Sequence, residues 1–163
     1  MIILGIDPGT QTTGYGLIKK EGRNIKHIDN GVISPGAKLP LDQKLSHIFI
    51  GLEKIIDRYK PDEVAVEEVF MATNAKSALI LGHARGVAML AASRKGLKVC
   101  EYSTREIKKA LVGYGNAEKN QVAMMVKTLL KLPEVAAPDA SDALAAAICH
   151  AHSLVIIFPT GRT

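Results

Sequence analysis

Apolar residues recur along the chain with two different periods, and the change of period marks the predicted elements. Short apolar runs that end in turn residues predict five strands, at residues 2–6, 14–18, 25–34, 64–67 and 97–102. Apolar positions three and four residues apart predict amphipathic helices at 41–59 and 74–95. Three strands come first, helices and strands then alternate, and three helices follow, which predicts one α/β domain with a mixed sheet and helices on both faces.

The last three helices are predicted from their start signals. Ser103 and Glu106 form the S-x-x-E pattern of a capping box. Asn116 is a candidate cap for the next helix, and the final, alanine-rich helix is predicted to begin near Asp139. These starts complete a predicted order of three strands, helix, strand, helix, strand and three helices.

Length and composition restrict the classes of function. The chain has 163 residues, the size of one domain, so we expect a single domain over residues 1–163 with a flexible tail at 158–163. Its formal net charge of +5 favours an anionic partner, with nucleic acid as the first candidate. Aromatic residues make up only 4% of the chain and tryptophan is absent, which argues against a protein that stacks single-stranded bases on aromatic side chains.

The cysteines, histidines and apolar runs predict the compartment. Cys100 and Cys149 are expected to be reduced thiols with no paired metal-ligand spacing, which indicates a cytoplasmic protein. The five histidines show no convincing ligand spacing either, so no metal role is assigned to them. No run of about 18 apolar residues occurs, so no membrane association is predicted.

Carboxylates end apolar elements that should be buried. Asp7 closes the first strand, Glu67 or Glu68 closes the fourth, and Asp139 and Asp142 lie three residues apart on one helical face. Buried carboxylates that lie close together need cations, and hard oxygen ligands suit Mg²⁺ or Mn²⁺. Two such ions roughly 4 Å apart could activate water and stabilise a leaving oxygen, which in a basic protein predicts phosphodiester hydrolysis.

Each of these acids also has a purely structural interpretation. Asp7 stands in an Asp-Pro-Gly-Thr sequence that could be a simple turn. Asp139 and Asp142 match an N-cap and its partner three residues later. Glu67 and Glu68 face opposite sides of a strand, and the pattern alone does not decide between them. The coincidence of all three groups is the stronger argument for a site.

Six segments together resemble the RuvC-type Holliday junction resolvases over nearly the whole chain. They are ILGIDPG at 3–9 with TGYG at 13–16, EEVFMA at 67–72, ARGVA at 84–88, VGYG at 112–115, AEK at 117–119 with TLLKLP at 128–133, and DASDALA at 139–145. The resemblance places the four catalytic, metal-binding acids of that family at Asp7, Glu67, Asp139 and Asp142, and so selects Glu67 over Glu68.

The resemblance also implies a fold, a reaction and partners. It implies an RNase H-like fold with a five-stranded sheet, and a homodimer that nicks two opposing strands of a four-way DNA junction. Each cut is expected to leave a 5′-phosphate and a 3′-hydroxyl, to depend on Mg²⁺, and to show some preference for sequence at the cut. Cooperation with the RuvA and RuvB branch-migration proteins is implied as well.

Basic residues and one aromatic residue are the expected DNA contacts. Lys108 and Lys119 match basic positions that the family uses near DNA, and Arg105 and Lys109 lie nearby in sequence. Phe70, three residues beyond Glu67, matches an aromatic position that in the family inserts near the junction centre.

The chain departs from the family pattern at two positions. Glu68 stands where relatives carry glutamine and is expected to add a fifth carboxylate beside the site, and His83 replaces another glutamine. In the helix predicted at 74–95, Gly82 and Gly86 lie on a smooth ridge that is a candidate dimer contact.

Two other classes of function remain open at the level of sequence. The first is a non-catalytic protein that binds branched DNA through its basic face. The second is a phosphotransferase of the sugar-kinase and actin type, since Asp-x-Gly-Thr after a first strand also begins their phosphate site. Length argues against the second class, because those enzymes close two such domains around ATP.

Overall fold

The computed structural model describes residues 1–68 and 74–154, and its elements follow the predicted order. In these ranges the strands are β1 (Ile2–Asp7), β2 (Thr13–Glu21), β3 (Asn24–Ile33), β4 (Glu63–Glu68) and β5 (Lys98–Ser103). The helices are α1 (Leu41–Tyr59), α2 (Ala75–Arg94), α3 (Thr104–Val112), α4 (Lys119–Leu130) and α5 (Pro138–Ser153). The tail predicted at 158–163 lies outside the described residues.

The five strands form one mixed sheet in the order β3-β2-β1-β4-β5. β1 pairs antiparallel with β2 and parallel with β4, and β4 pairs parallel with β5. The parallel pairs place the carboxyl ends of β1, β4 and β5 along one edge of the sheet. Ile6 pairs with Val66, so Asp7 and Glu67 follow side by side at this edge.

Two apolar cores cover the two faces of the sheet. One core packs α3, α4 and α5 against side chains such as Ile3 and Ala65. The other packs α1 and α2 against the opposite face, through side chains such as Leu4 and Val66. Because successive strand residues point to opposite faces, every second residue of β1 and β4 belongs to the α5 side.

Helix α5 lies unusually close to the sheet because glycines leave the strand surface bare beneath it. A Cβ atom on Gly5 would lie 1.9 Å from the carbonyl oxygen of Ala143, and one on Gly14 would lie 1.9 Å from that of Asp139. A Cβ atom on Gly16 would lie 2.6 Å from the side chain of Leu144. The close approach brings the first turn of α5 next to the end of β1.

The structure confirms the predicted starts of α3 and α5 and corrects the predicted cap of α4. The capping box of Ser103 and Glu106 is present in both directions. Helix α4 is capped by Glu118 and not by Asn116, and the backbone N–H of Glu118 donates a 2.8 Å hydrogen bond to Oε1 of Gln121. Helix α5 begins at Pro138, close to Asp139 as predicted, but its N-cap is Ala137 and not Asp139. Proline fits there because its fixed φ suits a helix and its missing N–H is not needed.

The sequence predicts no membrane association, and the length and hydropathy of the helices bear on that prediction. Among residues 1–68 and 74–154, no helix combines the length and apolar character required to cross a bilayer.

Candidate active site

The four predicted acids are brought to one edge of the sheet by three elements. Asp7 ends β1, Glu67 lies next to the end of β4, and Asp139 and Asp142 lie near the start of α5. Asp139 is in the first helical turn, where the N-terminal end of the helix favours a negative charge. Gly14 pairs with Asp7 in the sheet and allows the backbone of α5 to approach it. Main-chain packing therefore sets where the two pairs of acids meet.

All four acids line one cleft of about 240 Å³. The cleft also contains two lysines, one threonine and an apolar wall. Its lining residues are Asp7, Glu67, Thr104, Ile107, Lys108, Lys119, Val122, Asp139, Asp142 and Ala145. An acidic centre with an apolar wall and cationic side chains around it suits a metal-assisted reaction of an anionic substrate.

The electrostatics of the cleft are unfavourable for negative charge at Asp7 and Glu67. Burial and, to a smaller extent, the negative charges of Glu67, Asp142 and Asp139 together raise the pKa of Asp7 from 3.8 to about 8, against a smaller opposing effect of Lys119. Burial also raises the pKa of Glu67. A carboxyl group with so high a pKa as that of Asp7 has too little compensating positive charge nearby, and a divalent cation would supply it.

Glu67 and Glu68 point to opposite faces of β4, and only Glu67 lines the cleft. Glu68 lies on the α2 side, where its Oε1 is 3.7 Å from Nη2 of Arg85. Arg85 also pairs with Glu101 of β5. The fifth carboxylate that was expected beside the site is therefore adjacent to Glu67 in sequence but does not line the cleft, because the alternation of strand side chains turns it to the other face.

Two neighbours hold the acids in place. Lys119, at the start of α4, places its Nζ 3.2 Å from Oδ2 of Asp142, and the charge of Asp142 raises the pKa of Lys119. Thr104, at the start of α3, donates a 2.6 Å hydrogen bond from its hydroxyl to Oε1 of Glu67, which lowers the pKa of Glu67 against the effect of burial. Sequence reasoning missed Thr104, because only the pairing of β4 with β5 brings α3 next to Glu67.

The predicted DNA contacts lie on α3 and α4 around the cleft. Lys108 and Lys119 line the cleft itself. Arg105 and Lys109 are exposed on α3. The aliphatic part of the Arg105 side chain packs over Gly115, since a Cβ atom on this glycine would lie 2.5 Å from Cγ of Arg105. The structure thus brings two of the basic residues to the acids and places two beside them. Phe70 lies outside the described residues.

The family model for "Crossover junction endodeoxyribonuclease RuvC" matches residues 3–150 of this chain. The chain belongs to the RuvC family. A RuvC protein of Citrifermentans bemidjiense is 58% identical over 153 residues, which cover 94% of this chain and 93% of that protein. A RuvC protein of Legionella pneumophila is 56% identical over 151 residues, which cover 93% of this chain and 87% of that protein.

A solved structure agrees with the family assignment. The structure described as T. thermophilus RuvC in complex with a Holliday junction substrate has a TM-score of 0.88 and 33% identity, and the match covers 93% of each chain. The comparison confirms the predicted RNase H-like fold with its five-stranded mixed sheet. As a RuvC protein, the chain is a crossover junction endodeoxyribonuclease of a family that depends on divalent metal ions.

Proposed function

We propose that this RuvC protein resolves four-way DNA junctions in recombination and repair by hydrolysing one phosphodiester bond in each of two opposing strands. The observation that carries the proposal is the convergence of Asp7, Glu67, Asp139 and Asp142 in a single cleft with basic side chains around it. Each cut leaves a 5′-phosphate and a 3′-hydroxyl, ends that a ligase can join. Residues 1–163 are proposed to form one nuclease domain.

The four acids are the proposed catalytic and metal-binding residues. The fit of a divalent ion to them is supported by the pKa of Asp7, which burial and neighbouring negative charge raise to about 8. All four offer hard oxygen ligands, and we propose Mg²⁺ as the ion, Mn²⁺ as a substitute and two ions per site. When bound, such ions supply an activated water and stabilise the leaving oxygen of the phosphodiester.

The surrounding side chains position the acids and the substrate. The Thr104 hydroxyl fixes one oxygen of Glu67 and leaves its other oxygen for a ligand. The Lys119 ammonium orients Asp142 and adds a positive charge at the mouth of the cleft, where a phosphate would enter. Arg105, Lys108 and Lys109, with Lys119, are proposed to contact the DNA backbone. Phe70 is proposed to contact bases near the junction centre.

A cleavage experiment tests the site. A labelled four-way junction is incubated with protein and Mg²⁺ beside a linear duplex of the same sequence. Asp7→Asn should bind the junction while losing at least about a thousandfold in cleavage rate, as expected for a residue of a catalytic unit. Glu68→Gln is the matched control and should cleave normally, since Glu68 faces Arg85 outside the cleft. Cleavage by Asp7→Asn at the normal rate would contradict the proposed site.

The same gel separates the alternative function from the proposed one. A wild-type protein that shifts the junction but never nicks it, in either Mg²⁺ or Mn²⁺, would favour a non-catalytic protein that binds branched DNA. Preferential nicking of the linear duplex would contradict selectivity for junctions.

Symmetric cutting requires two sites, and the face of α2 that carries Gly82 and Gly86 is the proposed dimer contact. Within residues 1–68 and 74–154, a Cβ atom on either glycine would meet nothing within 4 Å, so no described part of the chain covers this face. Leu79 and Leu90 lie on the same helix with 67% and 53% of their surface exposed. Their spacing of three, four and four residues from Leu79 through Gly82 and Gly86 to Leu90 defines one face of the helix. An open apolar ridge of this kind suits a second copy of the chain.

Gly86→Arg tests the dimer without disturbing the fold of one chain. The side chain enters open space in the monomer but would occupy the proposed interface. We expect a monomer in sedimentation experiments and loss of paired cuts. Met124→Arg, at a 53% exposed position on α4, is the matched control and should remain a dimer. A Gly86→Arg protein that dimerises as the wild type does would contradict this interface.

The proposal includes cooperation with the RuvA and RuvB branch-migration proteins, as expected for a member of this family. Junction cleavage measured with and without these two proteins, on a junction that can migrate, tests that part. Unchanged cleavage sites and rates in their presence would contradict it.

A further inference from the structure

A second cluster of metal-binding residue types lies at the opposite end of β4 from the four acids. Within the described residues, Glu63, Cys100 and His150 are the only three His, Cys, Asp or Glu side chains whose donor atoms all lie within 4.8 Å of one another. Glu63 begins β4, and about 13 Å of strand separate it from Glu67. On α5, about 12 Å of helix separate His150 from Asp142. The cluster is therefore distinct from the nuclease cleft.

The sheet register explains why these three side chains meet. Cys100 of β5 pairs with Ala65 of β4, which lies two residues from Glu63 on the same face. Helix α5 covers this face, and its His150 is 1% exposed. The other two side chains are partly buried. Three separate elements thus supply a nitrogen, a sulfur and a carboxylate oxygen to one point.

A chain of hydrogen bonds fixes the orientation of the His150 ring. The Ser153 hydroxyl donates to the backbone oxygen of His150 at 2.8 Å. Because that hydrogen is used, the Tyr102 hydroxyl donates to Oγ of Ser153, at 2.8 Å. The oxygen of Tyr102 then accepts a hydrogen bond from Nδ1 of His150, at 2.7 Å. Nδ1 of His150 therefore carries a proton, and Nε2 points towards Glu63.

Nε2 of His150 faces a carboxylate oxygen of Glu63. This Nε2 lies 2.6 Å from Oε2 of Glu63, and the two would repel unless a proton or a metal cation lay between them. Lys98 is the charged neighbour, with its Nζ 3.7 Å from the same Oε2. An Nδ1–H held by an outer hydrogen bond is how proteins orient metal-binding histidines. A proton shared between His150 and Glu63 would not involve Cys100. A metal ion, in contrast, could also bind the soft sulfur atom of Cys100, which lies within 4.8 Å of the other two donor atoms.

We propose that Glu63, Cys100 and His150 bind one borderline-soft transition-metal ion, of which Zn²⁺ is the representative, outside the nuclease site. Imidazole, thiolate and carboxylate are the ligands of protein zinc sites, whereas Mg²⁺ selects oxygen alone. Bonds of about 2.0–2.3 Å in a tetrahedron hold donor atoms about 3.3–3.7 Å apart, so the donors must shift by about 1 Å. Such an ion would join β4, β5 and α5 and stabilise the folded chain.

Co²⁺ binding tests this site by a signal that only a thiolate ligand gives. The full chain is titrated with Co²⁺ in excess Mg²⁺, which saturates the nuclease cleft. We expect one Co²⁺ per chain with a thiolate-to-cobalt charge-transfer band, and displacement of Co²⁺ by Zn²⁺. Cys100→Ser should lose the band and bind Zn²⁺ at least about tenfold more weakly. Cys149→Ser is the matched control and should keep both, since burial raises the pKa of the Cys149 thiol to about 12.

Two further variants keep the result decisive. Glu63→Gln preserves the shape of the side chain and should weaken Zn²⁺ binding while the metal-free circular dichroism stays unchanged. Asp7→Asn should bind Co²⁺ with the same band as the wild type. The proposal is overturned if the wild type shows no thiolate band, if the band persists in Cys100→Ser, or if Asp7→Asn removes it.

Discussion

Asp7→Asn should make the metal-free protein more stable while it abolishes cleavage. In the absence of a divalent ion, burial and the charges of Glu67, Asp142 and Asp139 raise the pKa of Asp7 from 3.8 to about 8. The folded chain therefore binds this proton more tightly than the unfolded chain does. Asparagine has the same shape and carries no charge, so it removes the cost of placing an anion in the cleft.

The magnitude follows from the two pKa values of Asp7. Below about pH 4 the group is protonated in both states and has no effect. Between about pH 4 and about pH 8 the folded state holds more protons, so stability falls by about 1.4 kcal/mol per pH unit. At pH 7 the accumulated cost is about 4 kcal/mol. We expect Asp7→Asn to recover about this amount at pH 7 and nothing near pH 4.

Urea unfolding with a chelator, at a series of pH values across this range, measures the effect. Asp57→Asn is the matched control: its carboxylate is 62% exposed and pairs with Lys95, so the change should cost under about 1 kcal/mol and leave the pH dependence unchanged. Added Mg²⁺ should flatten the pH dependence of the wild type, because the ion competes with the proton for Asp7. If the stabilities of Asp7→Asn and the wild type fall in parallel from about pH 4 to about pH 8, the electrostatic account of the cleft is refuted.

Three other changes test parts of the site. Gly14→Ala should lower the free energy of unfolding in urea by about 3 kcal/mol or more, since its Cβ would lie 1.9 Å from a backbone oxygen of α5. Gly36→Ala is the control and should be tolerated in the same experiment, because its Cβ would meet only a side chain, at 3.3 Å. Thr104→Val should raise the pKa of Glu67 further and move the acidic limb of the cleavage profile to higher pH; an unchanged profile would contradict the role of this hydrogen bond. Lys109→Ala should reduce the slope of log affinity for junction DNA against log salt by about 1, and an unchanged slope would exclude a phosphate contact.

The hydrophobic pattern predicted the fold well where an element buries a single regular face. Helix α1 was predicted at 41–59 and has those bounds, because its apolar side chains recur on the face that packs on the sheet. The caps of α4 and α5 were predicted less well. Several residues near each start could serve as the cap, and the choices of Glu118 and Ala137 depend on backbone conformation that local composition does not determine.

The site required long-range information that the pattern does not contain. Strand alternation allowed either Glu67 or Glu68, and the choice depends on which face α5 covers. The hydrogen bond of Thr104 depends on the pairing of β4 with β5. The cluster of Cys100, His150 and Glu63 also depends on long-range contacts, because the three residues lie on three different elements. The sequence therefore predicted no metal role for Cys100 or His150.

The glycines beneath α5 have a consequence for engineering the protein. Gly5 and Gly14 let peptide groups of the helix rest directly on peptide groups of the strands. The dimensions of peptide groups do not vary with sequence, so the gap between Asp7 and Asp139 is set by main-chain geometry. The apolar layer beneath α1 and α2 could therefore be redesigned while the spacing of the acids stays constant, whereas one added methyl group under α5 would change it.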